Sequence, residues 1–160
     1  MRSLVVAGTL ALVLIGCDRQ RVFEENRDLT TRHWLVADTA TFAFRIQNSG
    51  LRYNLYGNLR HGHNYPFARI FVQFTLTDSA GQALASNLKL QQLFDAKTGA
   101  PLGRSGLGDL YDHQFELQRD VVFNRPGLYR LKLVHQMRTD TLPEVLAVGV
   151  RVERQEAADY

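Results

Sequence analysis

The chain contains one cysteine, four prolines and one tryptophan in 160 residues, and each scarcity excludes something. A lone thiol, Cys17, rules out an intramolecular disulfide framework and any cysteine-built zinc finger. The longest apolar stretch, Ser3 to Gly16, falls short of the ~20 residues that a helix needs to cross a bilayer core. Only 3 of the 19 basic residues are lysines, and the arginines are interleaved with 16 acidic side chains without a block of like charge, so a nucleic-acid partner is not expected. After residue 40 no sustained 3.6-residue apolar period occurs, nor any internal repeat or low-complexity tract. What remains is 45% hydrophobic and 22% charged, too apolar for disorder and too short for two ordinary domains.

The N-terminus reads as an address. Arg2 precedes the uncharged run, which stops at Asp18, the pattern of a secretory leader. Leu14-Ile15-Gly16-Cys17 resembles the bacterial lipobox, in which a small residue precedes a cysteine that is acylated before the leader is cut away. The organisation expected is a leader over 1–16, a lipidated Cys17 opening a charged, solvated tether over 17–40, a β-sandwich domain over 41–154 and a tail over 155–160. A lipidated chain of this kind is anchored to a membrane without spanning it.

The body alternates with period two. Phe42, Phe44 and Ile46 alternate with Ala43 and Arg45; Ile70, Val72, Phe74 and Leu76 with Phe71, Gln73 and Thr75; Tyr129, Leu131 and Leu133 with Arg130 and Lys132. Leu146, Val148, Val150 and Val152 close the series, and 51–60, 85–94 and 111–118 are weaker strand candidates. Turn signals such as Asn48-Ser49-Gly50 and Arg125-Pro126-Gly127 separate them. Seven or eight such strands predict an all-β fold: a single two-sheet antiparallel sandwich of immunoglobulin-like or jelly-roll type behind the tether.

Candidate chemistry is thin. On a strand His61 and His63 would face one side and could share a metal, but a third ligand is missing and Gly62 suggests solvated loop histidines. Asp112, His113 and His135 have no spacing that demands convergence. The glycine-rich stretch Gly103 to Gly108 lacks the Lys-Ser/Thr of a phosphate loop, and Gly106 directly follows Ser105, which spoils a nucleophile elbow; a flexible loop is expected. Asp109 and Asp112 suit turn and capping roles. No motif sets even two of a nucleophile, a base and an orienting group together, so no catalytic residue, metal or cofactor is assigned. The stretch Arg52 to Arg69 is dense in Tyr, Asn and Arg, which suits an interface as well as it suits ordinary strands and turns.

An ordered set of motifs carries a resemblance. The Cys17 lipobox, Trp34, Asn58-Leu59-Arg60, Asn64-Tyr65-Pro66-Phe67, Pro101-Leu102-Gly103 through Gly108-Asp109-Leu110-Tyr111-Asp112, Gly127-Leu128-Tyr129, His135-Gln136-Met137-Arg138 and Val148-Gly149-Val150-Arg151-Val152-Glu153 follow one another along the chain. Together they resemble the gliding-motility lipoprotein GldH family of Bacteroidetes. The resemblance implies a non-enzymatic lipoprotein of the cell envelope, at the outer membrane, needed for gliding motility and associated with the machinery of adhesin movement and type IX secretion. Its partners would be the membrane, through lipid on Cys17, and other envelope proteins of that machinery. Within the motif segments, Asn58, Arg60, Asn64, Tyr65 and Arg138 are the candidate partner-binding residues. The alternative is a surface glycan-binding module, for which Tyr53, Tyr56 and Tyr65 would have to form one exposed platform. Mass spectrometry of the mature protein is expected to find an acylated Cys17 at its N-terminus; an unmodified N-terminus elsewhere would refute the leader assignment.

Overall fold

A computed structural model describes residues 18–155, so the leader, Cys17 and the residues after Gln155 lie outside it. The described residues form eleven strands and no helix: β1 (Arg21–Asp28), β2 (His33–Leu35), β3 (Ala40–Ile46), β4 (Arg52–Gly62), β5 (Arg69–Thr77), β6 (Ala83–Gln92), β7 (Arg104–Ser105), β8 (Leu110–Val122), β9 (Gly127–His135), β10 (Thr141–Pro143) and β11 (Val145–Arg154). All pairings are antiparallel. They build a five-stranded sheet in the order β1-β11-β4-β8-β7, a four-stranded sheet in the order β3-β9-β5-β6, and a small β2–β10 ladder.

The alternation read in the sequence sets which faces are buried. Phe42, Phe44 and Ile46 on β3, Ile70 to Leu76 on β5 and Tyr129 to Leu133 on β9 point inward, and they join Leu55 and Leu59 of β4, Phe115 and Leu117 of β8 and Val148 to Val152 of β11 in one continuous core. Aromatic rings tie the two larger sheets together at one end. Phe44 lies 5.8 Å from Phe23 of β1 and 6.1 Å from Phe123, which follows β8 and packs 5.4 Å from Tyr53 and 4.5 Å from Tyr129. Such pairs add about 0.5–1.5 kcal/mol each beyond the area they bury. At the other end Trp34 of β2 is fully buried, packs edge-on to His135 and donates its indole N–H to the Asp38 carbonyl at 2.9 Å.

The charged segment expected as a tether is a correction. Residues 21–28 form β1, the edge of the five-stranded sheet, paired with β11 from Arg21 opposite Glu153 to Asp28 opposite Ala147. Its polar composition hid it, because an edge strand with both faces near solvent buries little; only Phe23 leans on the core. Charge holds what apolar burial does not. Arg151 of β11 donates to Glu153 at 2.6 Å, to Glu24 at 2.8 Å and to Asp18. Burial alone would raise the Glu24 carboxyl, but the hydrogen bond and charge of Arg151, with Asn58, hold it below its usual range. The glycine-rich stretch is likewise less free than expected: Arg104 and Ser105 form β7 against Asp112 and Tyr111, and the Gly106 N–H donates to the Leu110 carbonyl at 2.8 Å.

Arg151→Ala is expected to cost roughly 2 kcal/mol, since it strands several carboxylates in a half-buried site. Hydrogen exchange should then accelerate selectively over 21–28; an unaltered exchange pattern there would show that β1 is held by other means.

Candidate functional site

The outer face of the five-stranded sheet carries a polar array laid out by register. Strands β1, β11, β4 and β8 align Asn26, Gly149, Asn58 and Gln114 in one row, and Asp28, Ala147, Arg60 and Asp112 in the next, where β7 adds Arg104. The small residues of β11 let side chains meet over it. Asn58 donates to Asn26 Oδ1 at 3.0 Å and to Glu24 Oε1 at 3.1 Å, and its own oxygen accepts from Gln114 Nε2 at 3.2 Å. Gly149 is required for this: a Cβ there would sit 2.0 Å from Asn26 Oδ1 and 2.5 Å from the Glu25 carbonyl.

In the second row Arg60 grips Asp112 with two bonds, Nε to Oδ1 at 2.8 Å and Nη2 to Oδ2 at 3.1 Å. That fork fixes the guanidinium plane while leaving it half exposed. Between the rows lies an open hollow of about 170 Å³, lined among others by Asn26, Asp28, Asn58, Arg60, Arg104 and Ala147. Its rim offers both donors and acceptors, which suits hydrogen-bonded recognition of another polar surface.

Beneath this face the sheet buries two histidines. Expected as solvated, His61 is fully buried, because the alternation of β4 runs to its end and turns residue 61 inward; His113 of β8 is 7% exposed. Their Nε2 atoms are 3.0 Å apart, and the rings stack at 5.1 Å between centroids. His61 Nδ1 is 2.8 Å from the Gly62 carbonyl, so it carries the proton and donates, which leaves His61 Nε2 to accept from His113 Nε2–H. His63 stands exposed beyond the strand, so it does not pair with His61, and among the described residues no group of three potential ligands gathers. Gly103 closes the pair: a Cβ there would meet His113 Nε2 at 2.6 Å. Burial pushes His61 down, and burial together with the facing His61 pushes His113 down to about 4.

The five candidate partner-binding residues do not converge. Asn58 and Arg60 share the outer face of β4, with Leu59 turned into the core as their spacing requires. Asn64 and Arg138 are exposed in the loops after β4 and β9. Tyr65 is a correction: it is 5% exposed, packs beside His61 and donates its hydroxyl to the Arg69 carbonyl at 3.3 Å, so its ring is core and not an anchor. Sequence reasoning missed Glu24, Asn26, Gln114 and Arg104. Only the alternation of 111–118 signalled one of them, since Gln114 is the outward member between the inward His113 and Phe115.

The described residues define the class as an antiparallel all-β domain with a hydrogen-bonded polar sheet face. The family model for the GldH lipoprotein matches residues 21–152, and the chain belongs to that family. It is 27% identical over 153 residues to the gliding motility lipoprotein GldH of Flavobacterium johnsoniae, covering 91% of this chain and 92% of that one. To the gliding motility lipoprotein GldH homolog of Christiangramia forsetii it is 22% identical over 152 residues, 91% of each chain. Among solved structures, that of infectious bursal disease virus Gx strain is similar at 16% identity and a TM-score of 0.47, covering 98% of this chain and 38% of that one. At that level the likeness defines neither fold nor function.

The histidine pair generates a pH dependence. Both imidazoles have lower affinity for protons folded than unfolded, so their contribution is complete above about 6.5 and is lost as pH falls towards about 4. A stability loss of roughly 3 kcal/mol across that window is expected, and His113→Phe should flatten it; an identical acid limb in the variant, read by urea denaturation, would assign the loss to other groups, the buried His135 or the carboxylates.

Proposed function

We propose that this chain is a non-enzymatic lipoprotein of the cell envelope that serves gliding motility, anchored through an acylated Cys17 at the outer membrane. It acts by binding protein partners, the envelope components that move adhesins and serve type IX secretion. The observation that carries this reading is the similarity to gliding motility lipoproteins over almost the whole length of both chains. The single core shared by the two larger sheets supports an immunoglobulin-like or jelly-roll sandwich as the scaffold. The outer face supports binding over turnover, because its amides and its Arg60–Asp112 fork satisfy one another in fixed positions. Asn58 and Arg60, which share the outer face of β4, are the proposed docking residues. The glycan alternative loses its platform: Tyr53 and Tyr65 are buried, and Tyr56 stands apart from them on the outer face.

Deletion of the gene in the native organism is expected to abolish spreading on agar, with rescue by the lipidated wild type but not by Cys17→Ser; normal spreading without the protein would remove the reading. Arg60→Ala should change stability by less than about 1 kcal/mol, as an exposed ion pair does, yet lower recovery of partners with a tagged copy. Tyr65→Ala should instead cost roughly 3–5 kcal/mol and reduce protein level. Undiminished partner recovery with a stable Arg60→Ala chain would refute docking at Arg60.

A further inference from the structure

We propose that the end of the domain where β1 begins and β11 finishes lies directly on the phospholipid surface, with Arg19, Arg52, Arg125 and Arg154 at the headgroup phosphates and Leu51 and Val122 at the acyl boundary. The proposal rests on the lipid anchor at Cys17 put forward above and adds the orientation of the domain on the membrane.

The first argument is reach. Asp18 is ion-paired to Arg151 in the sheet and accepts from the Arg21 N–H at 3.4 Å, so the described chain is already tied down one residue after Cys17. One residue spans only ~3.8 Å between Cα atoms, which leaves no slack to lift this end away from an acylated Cys17. The second argument is what the register gathers there. Arg21 lies opposite Glu153, Arg154 opposite Tyr53 and Arg52 opposite Val122, and Ile46 opposite Gly127 brings the loops of the other sheet to the same end. Leu51 is 40% exposed and Val122 47% exposed, side chains with apolar surface still to bury.

Charge favours the same face. Its acids Asp18, Glu24 and Glu153 are occupied by Arg151, Asp120 is shared by Arg52 at 3.8 Å and Gln155 at 2.9 Å, and Asp78, which lines a hollow with Val122 and Arg125, accepts from the Ala80 and Gln82 N–H groups of its own turn. Among the described residues no carboxylate comes within salt-bridge distance of Arg19, Arg125 or Arg154, so their guanidinium groups are open to phosphate. The surface is also rigid. The Tyr53 hydroxyl donates to the Asn48 carbonyl and the Tyr129 hydroxyl to the Arg125 carbonyl, both at 2.7 Å, and the Gly50 N–H donates to the Phe123 carbonyl at 3.3 Å. These bonds hold the two loops that carry Leu51 and Arg125 in one shape. The opposite end, with Leu107 95% exposed at the tip of the glycine-rich turn, then faces away from the membrane.

Acylation of Cys17 consumes the chain's one thiol, so a new cysteine can be labelled alone. The acylated full chain, purified from membranes as Val122→Cys, Leu51→Cys or Leu107→Cys and carrying an environment-sensitive fluorophore, would be placed in phosphatidylethanolamine–phosphatidylglycerol vesicles with a headgroup-level nitroxide quencher. Labels at 122 and 51 are expected to be quenched several-fold more than the label at 107. Replacing Arg52 and Arg125 by Glu together should weaken the quenching at 122 roughly twofold. Equal quenching at both ends, or stronger quenching at 107, in chains that float with the vesicles would overturn the orientation and leave the anchor standing. Failure of the purified chain to float at all would overturn the anchor and the orientation with it.

Discussion

Arg151 is the interaction on which the N-terminal half of the five-stranded sheet depends. β1 brings one partly buried aromatic ring to the core and otherwise offers charge, so apolar burial cannot hold it. Asp18, Glu24 and Glu153 would repel one another at the sheet edge without a cation among them. A guanidinium, with five donors in a rigid plane, can satisfy all three at once where a lysine would offer a single point charge. The rest follows by register. With Glu24 fixed beside Arg151, Asn26 falls over Gly149 and reaches Asn58, and Asp28 comes alongside Ala147 in the row of Arg60.

β4 joins the two halves of the molecule's chemistry because its faces differ. Its outward residues, Tyr56, Asn58 and Arg60, belong to the polar array, whereas Leu55, Leu59 and His61 belong to the interior. The two small residues of β11 decide how flat the outer face is. At Gly149 the absent side chain is occupied by Asn26, and at Ala147 the floor drops to form the hollow beside Arg60. On the inner side, glycine serves a similar purpose at Gly103, which lets the β7 turn lie against the His113 ring and seal the imidazole pair.

Strands were legible in the sequence where one face is buried and the other wet. β3, β5, β9 and β11 announce themselves through inward Phe, Ile, Val and Leu at every second position. β1 was illegible because it has two polar faces, and β2, β7 and β10 because two or three residues hold no period. β6 is a further case: as an edge strand it turns Leu84, Leu88 and Leu90 outward, so its alternation marks a strand without marking its buried side. Tyr65 misled for a chemical reason, since tyrosine serves equally as interface anchor and as core ring with a bonded hydroxyl.

By itself the sequence determined the all-β class, the placement of turns and the inward faces of β3, β5 and β9, because these follow from local periodicity and from the conformational limits of Gly, Pro and Asn. Only the tertiary structure decided that β1 joins β11, that His61 and His113 meet across 52 positions, and that Asn26, Gly149, Asn58 and Gln114 form one row. The physical reason is that a two-residue period fixes which way a side chain points and leaves open which strand lies beside it. That choice is made by burial and charge between segments far apart in the chain, where Arg151 and the small side chains of β11 have their effect.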